Sequence, residues 1–270
     1  YYYMNFKNLL LDLVFPRHCL GCKIELTSKQ ASLICEACFG KIILNSALKC
    51  HICGLRNNLG ACYKCRSKTQ INSLHAIGFY HDPILREMIH CFKYNSIESL
   101  KKPLTELMIS YITKNQLNDY FKNCILVPIP LTLRRRIRRG FNQSEILAKL
   151  LSQALNCPVI NLLKRQKFIL PQVNISDWQK RKENISGAFA INSNAFKLSP
   201  HPDFSGRGSP TLWAAPYPLF TRYRKPDTMG GKKVVLVDDV STSGATLEEA
   251  ARVLKQAGVK EVYGLVVAKG

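Results

Sequence analysis

Eight of the chain's eleven cysteines fall in four Cys-x-x-Cys pairs before residue 66, and that spacing constrains how the first quarter of the chain can fold. The pairs are Cys19/Cys22, Cys35/Cys38, Cys50/Cys53 and Cys62/Cys65. Two thiolates three positions apart on a tight knuckle can point at one ion, and two knuckles complete a tetrahedral four-sulfur site. Gly21 and Gly54 suit such turns, because a residue without Cβ bends tightly. The pattern predicts two zinc ribbons in sequence within residues 1–68. Each would hold one structural Zn2+, with no open coordination position and no chemistry of its own. Pairing the first knuckle with the third, and the second with the fourth, satisfies the chemistry equally. Disulfides would need an oxidising compartment, and a redox site would be expected as a single motif; an iron–sulfur cluster is the other use of the thiolates. His18 and His51 adjoin ligands and read as solvated neighbours, while Cys91, Cys124 and Cys157 stand isolated and read as small buried hydrophobes.

Beyond the cysteines, residues 66–70 read as a linker, and residues 69–270 alternate between helix and strand periods. A short strand is expected at residues 76–80. Pro83 opens a helix with Ile84, Leu85, Met88, Ile89 and Phe92 on one face, and Pro103 is expected to open the next, with Leu104, Leu107, Met108 and Tyr111. Residues 124–130 form a buried-type strand closed by prolines. Asn142 and Glu145 have the form of a capping box before an amphipathic helix. A strand at residues 233–237, a helix at 246–257 stopped by Gly258, and a strand at 261–268 make a βαβ unit, which belongs to a parallel sheet. The predicted fold class is α/β: a parallel sheet flanked by helices, with a small N-terminal zinc-ribbon domain. Residues 199–231 hold six prolines and four glycines with neither period, so a looped or disordered surface insertion is expected there.

Charge narrows the partners. With 39 basic against 18 acidic residues the formal charge is +21, which attracts nucleic acid, phosphorylated metabolites or anionic membrane. The lysines are scattered, so a generally basic proteome accounts for them equally well. No apolar run is long enough to span a bilayer. The apolar stretch at residues 8–16 is interrupted by Asp12 and reads as a packing helix and not a signal peptide, so a cytoplasmic location is expected.

The chemistry concentrates near the C-terminus. Val234, Val235, Leu236 and Val237 lead into Asp238 and Asp239, followed by a loop of Val240, Ser241, Thr242, Ser243, Gly244, Ala245 and Thr246 that opens a helix. Unpaired N–H groups and the positive end of a helix dipole welcome an anion. Hydroxyls on Ser241, Thr242, Ser243 and Thr246 add donors, and Gly244 allows close approach of the backbone, so a phosphate monoester should sit there. The aspartates would repel that phosphate and suit sugar hydroxyls and a metal ion instead. A Walker A loop is excluded because Ala245, not Lys, follows Gly244, and the three spaced glycines of a dinucleotide fingerprint are absent.

Residues 234–246 resemble the phosphoribosyl-diphosphate (PRPP) signature of type I phosphoribosyltransferases, and the wider pattern resembles the ComF family. The resemblance rests on the cysteine ribbons, Cys91-Phe92-Lys93-Tyr94, Val127-Pro128-Ile129-Pro130, Arg139-Gly140-Phe141-Asn142-Gln143 and Asn184-Ile185-Ser186-Gly187-Ala188-Phe189. Departures are residues 199–231 and Ser243, where many relatives carry Thr. It implies that Asp238 and Asp239 hold the ribose 2′- and 3′-hydroxyls and stabilise an oxocarbenium-like state. Ser241 to Thr246 would cradle the 5′-phosphate, Mg2+ would chelate the diphosphate, and phosphoribosyl would pass to an unidentified acceptor with release of pyrophosphate. Arg134, Arg135, Arg136, Arg138 and Arg139 follow a strand end, where doubly wound sheets place their ligand crevice. The resemblance turns Arg138 and Arg139 toward the pyrophosphate; a solvated basic face and a nucleic-acid contact are the other uses of such a run. Gln172, Trp178, Arg181 and Asn184 resemble a loop that closes over substrate. Because the family is linked to DNA uptake, the rival expectation is an accessory of the uptake machinery that binds single-stranded DNA, and a third is a PRPP sensor without catalysis.

Overall fold

A run of β-branched residues with no polar face belongs in a strand covered on both sides. The computed structural model describes residues 16–27, 32–46, 49–57, 60–94, 97–166, 185–196 and 232–270. In chain order its elements are α1 (Glu36–Gly40), β1 (Ser73–Phe79), α2 (Pro83–Tyr94), α3 (Ile97–Lys114), β2 (Cys124–Pro128), α4 (Leu133–Arg139), α5 (Gln143–Leu155), β3 (Leu163–Arg165), β4 (Phe189–Ile191), β5 (Lys233–Ser241), α6 (Ala245–Gln256) and β6 (Glu261–Lys269). The main sheet runs β1-β6-β5-β2, with every pairing parallel. Alternation along the central strands fills two cores. Val235, Val237, Leu265 and Val267 pack with α2, α3 and α5, whereas Val234, Leu236, Val262 and Val266 pack with α6 and the β3–β4 pair. The predicted α/β architecture and the β5–α6–β6 unit are both present.

Several boundaries moved, each for an identifiable reason. Strand β1 begins at Ser73 and not at residue 76. Its first residues are polar but satisfied: Ser73 Oγ lies 2.8 Å from His75 Nε2, and His75 Nδ1 lies 3.3 Å from Tyr111 Oη. Burial, helped by nearby His51, pulls the His75 imidazole down to about 3, so the ring stays neutral in the core. Helix α3 starts at Ile97 and runs through Pro103 instead of opening on it. A proline inside a helix costs about 3 kcal/mol. The fully buried Leu100 extends the stripe of Leu104, Leu107, Met108 and Tyr111 by a turn and offsets that cost, and Thr105 Oγ1 donates to the Lys101 carbonyl at 2.8 Å beside the break. Asn142 Oδ1 caps α5 by accepting from Ser144 N at 3.2 Å, while Glu145 pairs with Lys149 at 2.8 Å and not with the cap. The isolated cysteines 124 and 157 are neighbours in space, with Cys124 Sγ 3.3 Å from Cys157 Sγ inside the core.

The segment read as a linker is docked. Thr69 Oγ1 and Gln70 N both donate to the Glu248 carboxylate of α6, the latter at 2.7 Å. Asn72 N donates to the Val262 carbonyl at 2.8 Å, Val262 N donates to Asn72 Oδ1 at 2.9 Å, and Ile71 is buried between them. Residues 8–15, the expected insertion at 199–231, and Gln172, Trp178, Arg181 and Asn184 lie outside the described residues. Among the described residues no helix is long and apolar enough to cross a membrane.

Replacing Glu248 with Ala removes both clamps on residues 69 and 70, and hydrogen bonds to a charged acceptor at a part-exposed site should leave a loss of about 2 kcal/mol. The expected result is a lower urea midpoint with faster proteolysis at residues 66–72. An unchanged midpoint with unchanged cleavage would show that the docking contributes nothing.

Candidate functional site

Strand β5 does not stop where its apolar run stops. Asp238 pairs opposite Val266, Val240 opposite Ala268 and Ser241 opposite Lys269, so Val240 and Ser241 belong to the strand and the loop shrinks to residues 242–244. The ladder therefore holds both carboxylates rigidly at the end of the sheet. Ser144 Oγ donates to Asp238 Oδ1 at 2.8 Å, the Asp239 N–H donates to the same oxygen at 2.9 Å, and Lys93 Nζ stands 3.4 Å from Asp239 Oδ1. Burial, reinforced by the adjacent Asp239 charge, pushes the Asp238 carboxyl up to about 7 against the opposing pull of Ser144, the Asp239 N–H and Lys93.

The glycine loop follows at once. Gly244 sits at φ 79°, the left-handed region, and forms the N-cap of α6. A Cβ built there would meet nothing within 4 Å, so the space above the helix N-terminus is open. Ser243 Oγ accepts from Ala245 N at 3.4 Å, Thr242 is exposed, and Thr246 lies half-buried in the first turn. The Ser241 hydroxyl is buried without a hydrogen-bond partner among the described residues. Open space, a helix N-terminus and a spare buried hydroxyl lie together beside two carboxylates, an arrangement whose chemistry suits an anion.

The arginines form α4, which Thr132 caps by accepting from Arg135 N at 3.3 Å and which Gly140 ends at φ 77°. No residue of this helix is buried, and Leu133 and Ile137 are 70% and 74% exposed. Arg134, Arg135 and Arg136 face outward as well. Arg139 donates to Gln143 Oε1 at 3.0 Å and lies over the Tyr94 ring at 5.2 Å, and its Nε has no partner among the described residues. Arg138 donates to Tyr94 Oη at 3.4 Å. Hydrogen bonding from Arg139, with the charges of Arg139, Arg138 and Lys93, holds the Tyr94 phenol below its ordinary range against the effect of burial. Tyr94 follows Lys93 in sequence and Gln143 precedes Ser144, so the two helices that grip the aspartates also seat Arg138 and Arg139.

Three residues had no role in the sequence-based expectation. Lys93 appeared only inside a motif, Ser144 only as a position between Asn142 and Glu145 of the capping box, and Arg165 not at all. Arg165 on β3 places its guanidinium over Phe189 at 5.1 Å, its Nε lacks a partner among the described residues, and it feels the charges of Arg135 and Asp238. The β3–β4 pair is tied to α6 where Gly187 N donates to Glu249 Oε1 at 2.7 Å. A single arginine in a polar stretch carries no periodic or motif signal, so only three dimensions bring it to the aspartates.

The eight cysteines gather as two groups, Cys19, Cys22, Cys35 and Cys38, and Cys50, Cys53, Cys62 and Cys65, each with its sulfurs within 4.8 Å of one another. The consecutive pairing is therefore the one adopted, and the interleaved one is not. Cys22 and Cys35 sulfurs are 3.7 Å apart, as are those of Cys53 and Cys62. That is about the edge of a tetrahedron built on Zn–S bonds of about 2.3 Å, so the donor sets fit structural zinc. Cys35 N and Cys62 N donate to Cys19 Sγ and Cys50 Sγ at 3.4 Å, the kind of contact that supports thiolates. His51 is not a solvated neighbour: its Nε2 lies 3.3 Å from Thr69 Oγ1, and its carbonyl accepts from Lys269 Nζ at 2.8 Å.

Asp238 yields a prediction with a definite sign. Its carboxyl is raised to about 7, so the folded chain binds more protons there than the unfolded chain between roughly pH 4 and 7. Its contribution to stability falls as pH rises through that window. Asp238→Asn should raise the melting temperature at pH 8 by roughly 2–4 °C for each kcal/mol relieved and change it little at pH 4. Destabilisation at pH 8 would contradict the assignment.

A double zinc ribbon domain is matched by residues 10–66, and a phosphoribosyl transferase domain by residues 203–270. The chain is 28% identical to Competence protein F of Haemophilus influenzae over 97% of its own length and 98% of the relative's. It is 23% identical to Competence protein ComFC of Bacillus subtilis, covering 85% and 81% of the two chains. With DNA utilization protein YhgH of Escherichia coli the identity is 26%, over 93% and 96%. Ribbons and transferase domain occur in the same order as the two groups of cysteines and the β5–α6 loop, and the alignments run nearly end to end, so the chain is similar over most of its length to proteins named for competence and DNA utilization.

Proposed function

We propose that the C-terminal edge of β5 binds PRPP, with Asp238 and Asp239 accepting from the ribose hydroxyls and Ser241, Thr242, Ser243, Gly244, Ala245 and Thr246 receiving the 5′-phosphate. The observation that carries this reading is the acidic pair held in the β5 ladder immediately before an open, glycine-capped helix N-terminus. An anion and a polyol are thus accommodated within one turn of each other. Arg138 and Arg139 at Tyr94, and Arg165, which feels the Asp238 charge, supply cationic groups suited to a diphosphate. Lys93 now occupies the Asp239 carboxylate and would give way when ligand hydroxyls or a cation arrive. The two carboxylates and the diphosphate fit Mg2+, which when bound would neutralise the leaving pyrophosphate. Transfer would break the bond from ribose C1 to the diphosphate and form one to an acceptor, with the anionic aspartates stabilising the positive charge that develops on the sugar. The reading carries with it a cytoplasmic location, where reduced thiols persist.

Calorimetric titration with PRPP and Mg2+ tests the binding half. The wild type should bind, and Asp238→Asn combined with Asp239→Asn should weaken binding on the order of 100-fold or more, because two charge-assisted acceptors are lost. Hydroxyl donors favour the ionised form of Asp238, so affinity should also strengthen from pH 6 to pH 8. Normal PRPP affinity in the folded double variant would overturn the site. Pyrophosphate release on incubation with a panel of bases and amines then separates a transferase from a sensor: binding without release supports the sensor.

A second reading is favoured by α4, whose arginines are all solvent-facing apart from half-buried Arg139, beside the exposed Leu133 and Ile137. The relatives named for competence and DNA utilization fit a role in DNA uptake, and this helix offers phosphate contacts to a single strand. Single-strand affinity should fall steeply with salt and lose a log–log slope of about 0.7 per phosphate contact when Arg134, Arg135 and Arg136 become Ala. Salt-independent binding would remove this reading.

A further inference from the structure

Helix α2 carries a cluster that neither the zinc ribbons nor the acidic pair uses. Glu87, His90 and Cys91 occupy positions i, i+3 and i+4, which an α-helix places on one face. Their ligand atoms all lie within 4.8 Å of one another, and Cys91 Sγ points at Glu87 Oε1 at 3.6 Å. His90 is exposed and the other two are half-buried, so the face opens to solvent on the imidazole side.

We propose that Glu87, His90 and Cys91 form a third metal site, which takes a divalent borderline transition ion such as Zn2+ through one oxygen, one nitrogen and one sulfur. Metal–ligand bonds of about 2.0–2.3 Å make a tetrahedron whose edges are close to the Cys91–Glu87 separation already present. The exposed His90 needs only a rotamer adjustment to complete a triangular face. An ionised carboxylate, a thiolate and a neutral imidazole balance a divalent cation. Thiolate and imidazole are the ligand types that favour such an ion over Mg2+. On binding, the Cys91 proton passes to solvent and the S–H···Oε1 contact is replaced by two bonds to the metal. Three protein ligands leave a fourth position for water, unlike the closed four-thiolate groups, so this ion should exchange more readily than theirs.

The location gives the site a consequence. The His90 ring packs against Tyr94 at 5.2 Å, and Tyr94 receives Arg138 and Arg139. Lys93, two residues after Cys91, holds Asp239. Fixing His90 in a coordination sphere therefore restrains the ring on which the two arginines rest. The metal count does not require PRPP binding, so either reading can fail alone.

The test is a metal count on the full-length chain. Protein equilibrated with low-micromolar free Zn2+ should hold three equivalents, and a mild chelator should remove one while two remain. His90→Ala with Cys91→Ser should hold two throughout. Substitution with Co2+ should give a third increment of sulfur-to-metal charge-transfer absorption in the wild type that the variant lacks. If the double variant folds poorly, His90→Ala alone, at an exposed position, decides by the same count. Two equivalents in the wild type, or a third that survives in the variants, overturns the proposal.

Discussion

Strand β5 is hydrogen-bonded on both edges, to β2 and to β6, and Val234 to Val237 are buried on both faces. The flanking layers are placed by that double burial: α2, α3 and α5 cover one face, and α6 with the β3–β4 pair covers the other. The ladder with β6 does not end with the hydrocarbon. It continues through Asp238, Val240 and Ser241, so two carboxylates emerge on a backbone that cannot relax away from them. A carboxylate on a loop would turn to water, whereas one on a paired strand must be neutralised where it stands. Ser144 and Lys93 do part of that, and the proton retained by Asp238 near neutral pH does the rest.

The ribbons stand in a different relation to the core. A module of this size with few large apolar residues cannot bury enough surface to fold alone, which is where a metal cross-link stabilises most. The first ribbon nevertheless adds to the main core, since Cys19 and Cys38 are buried in the same cluster as Ile77, Leu85 and Met88. The second is fastened by polar contacts: Ala61 N to the Asn72 carbonyl at 3.0 Å, and His51 to Thr69 and Lys269. Thr69 then passes the connection to Glu248 on α6, one turn from its glycine cap. Ribbon and transferase-like domain are thereby coupled through hydrogen bonds to α6.

Legibility in the sequence followed the physics of each signal. Sulfur spacing is local and chemically narrow, so the eight ligands could be read, and only their grouping needed three dimensions. The β5–α6–β6 unit was legible because apolar runs, a glycine cap and a helix stop lie within forty residues. What failed were inferences from single residues whose surroundings override their habits. Pro103 reads as a helix start until the burial of Leu100 adds a turn before it. The strand reads as starting at residue 76 because Ser73 and His75 are polar, but they satisfy each other and Tyr111 inside it. Residues 66–70 read as a tether because a carboxylate 179 positions away cannot be seen from them. The candidate site divides the same way: Asp238, Asp239 and the glycine loop are contiguous, whereas Lys93, Ser144 and Arg165 reach it from three other elements.

The Lys93–Asp239 contact shows how the acidic pair is accommodated at the end of β5. Two adjacent carboxylates with no cation would repel each other and strain the end of β5; one ammonium at 3.4 Å, with a bound proton on Asp238, removes most of that repulsion. Both compensations are reversible. A lysine on a flexible stem moves off without unfolding its helix, and a proton leaves once hydroxyl donors or a metal ion favour the charged carboxylate. A salt bridge to an arginine fork would be harder to displace, because the fork forms two directed bonds where the ammonium forms a point contact. The arginines instead stand back on Tyr94 with spare donors, available to a ligand without first having to leave the aspartates.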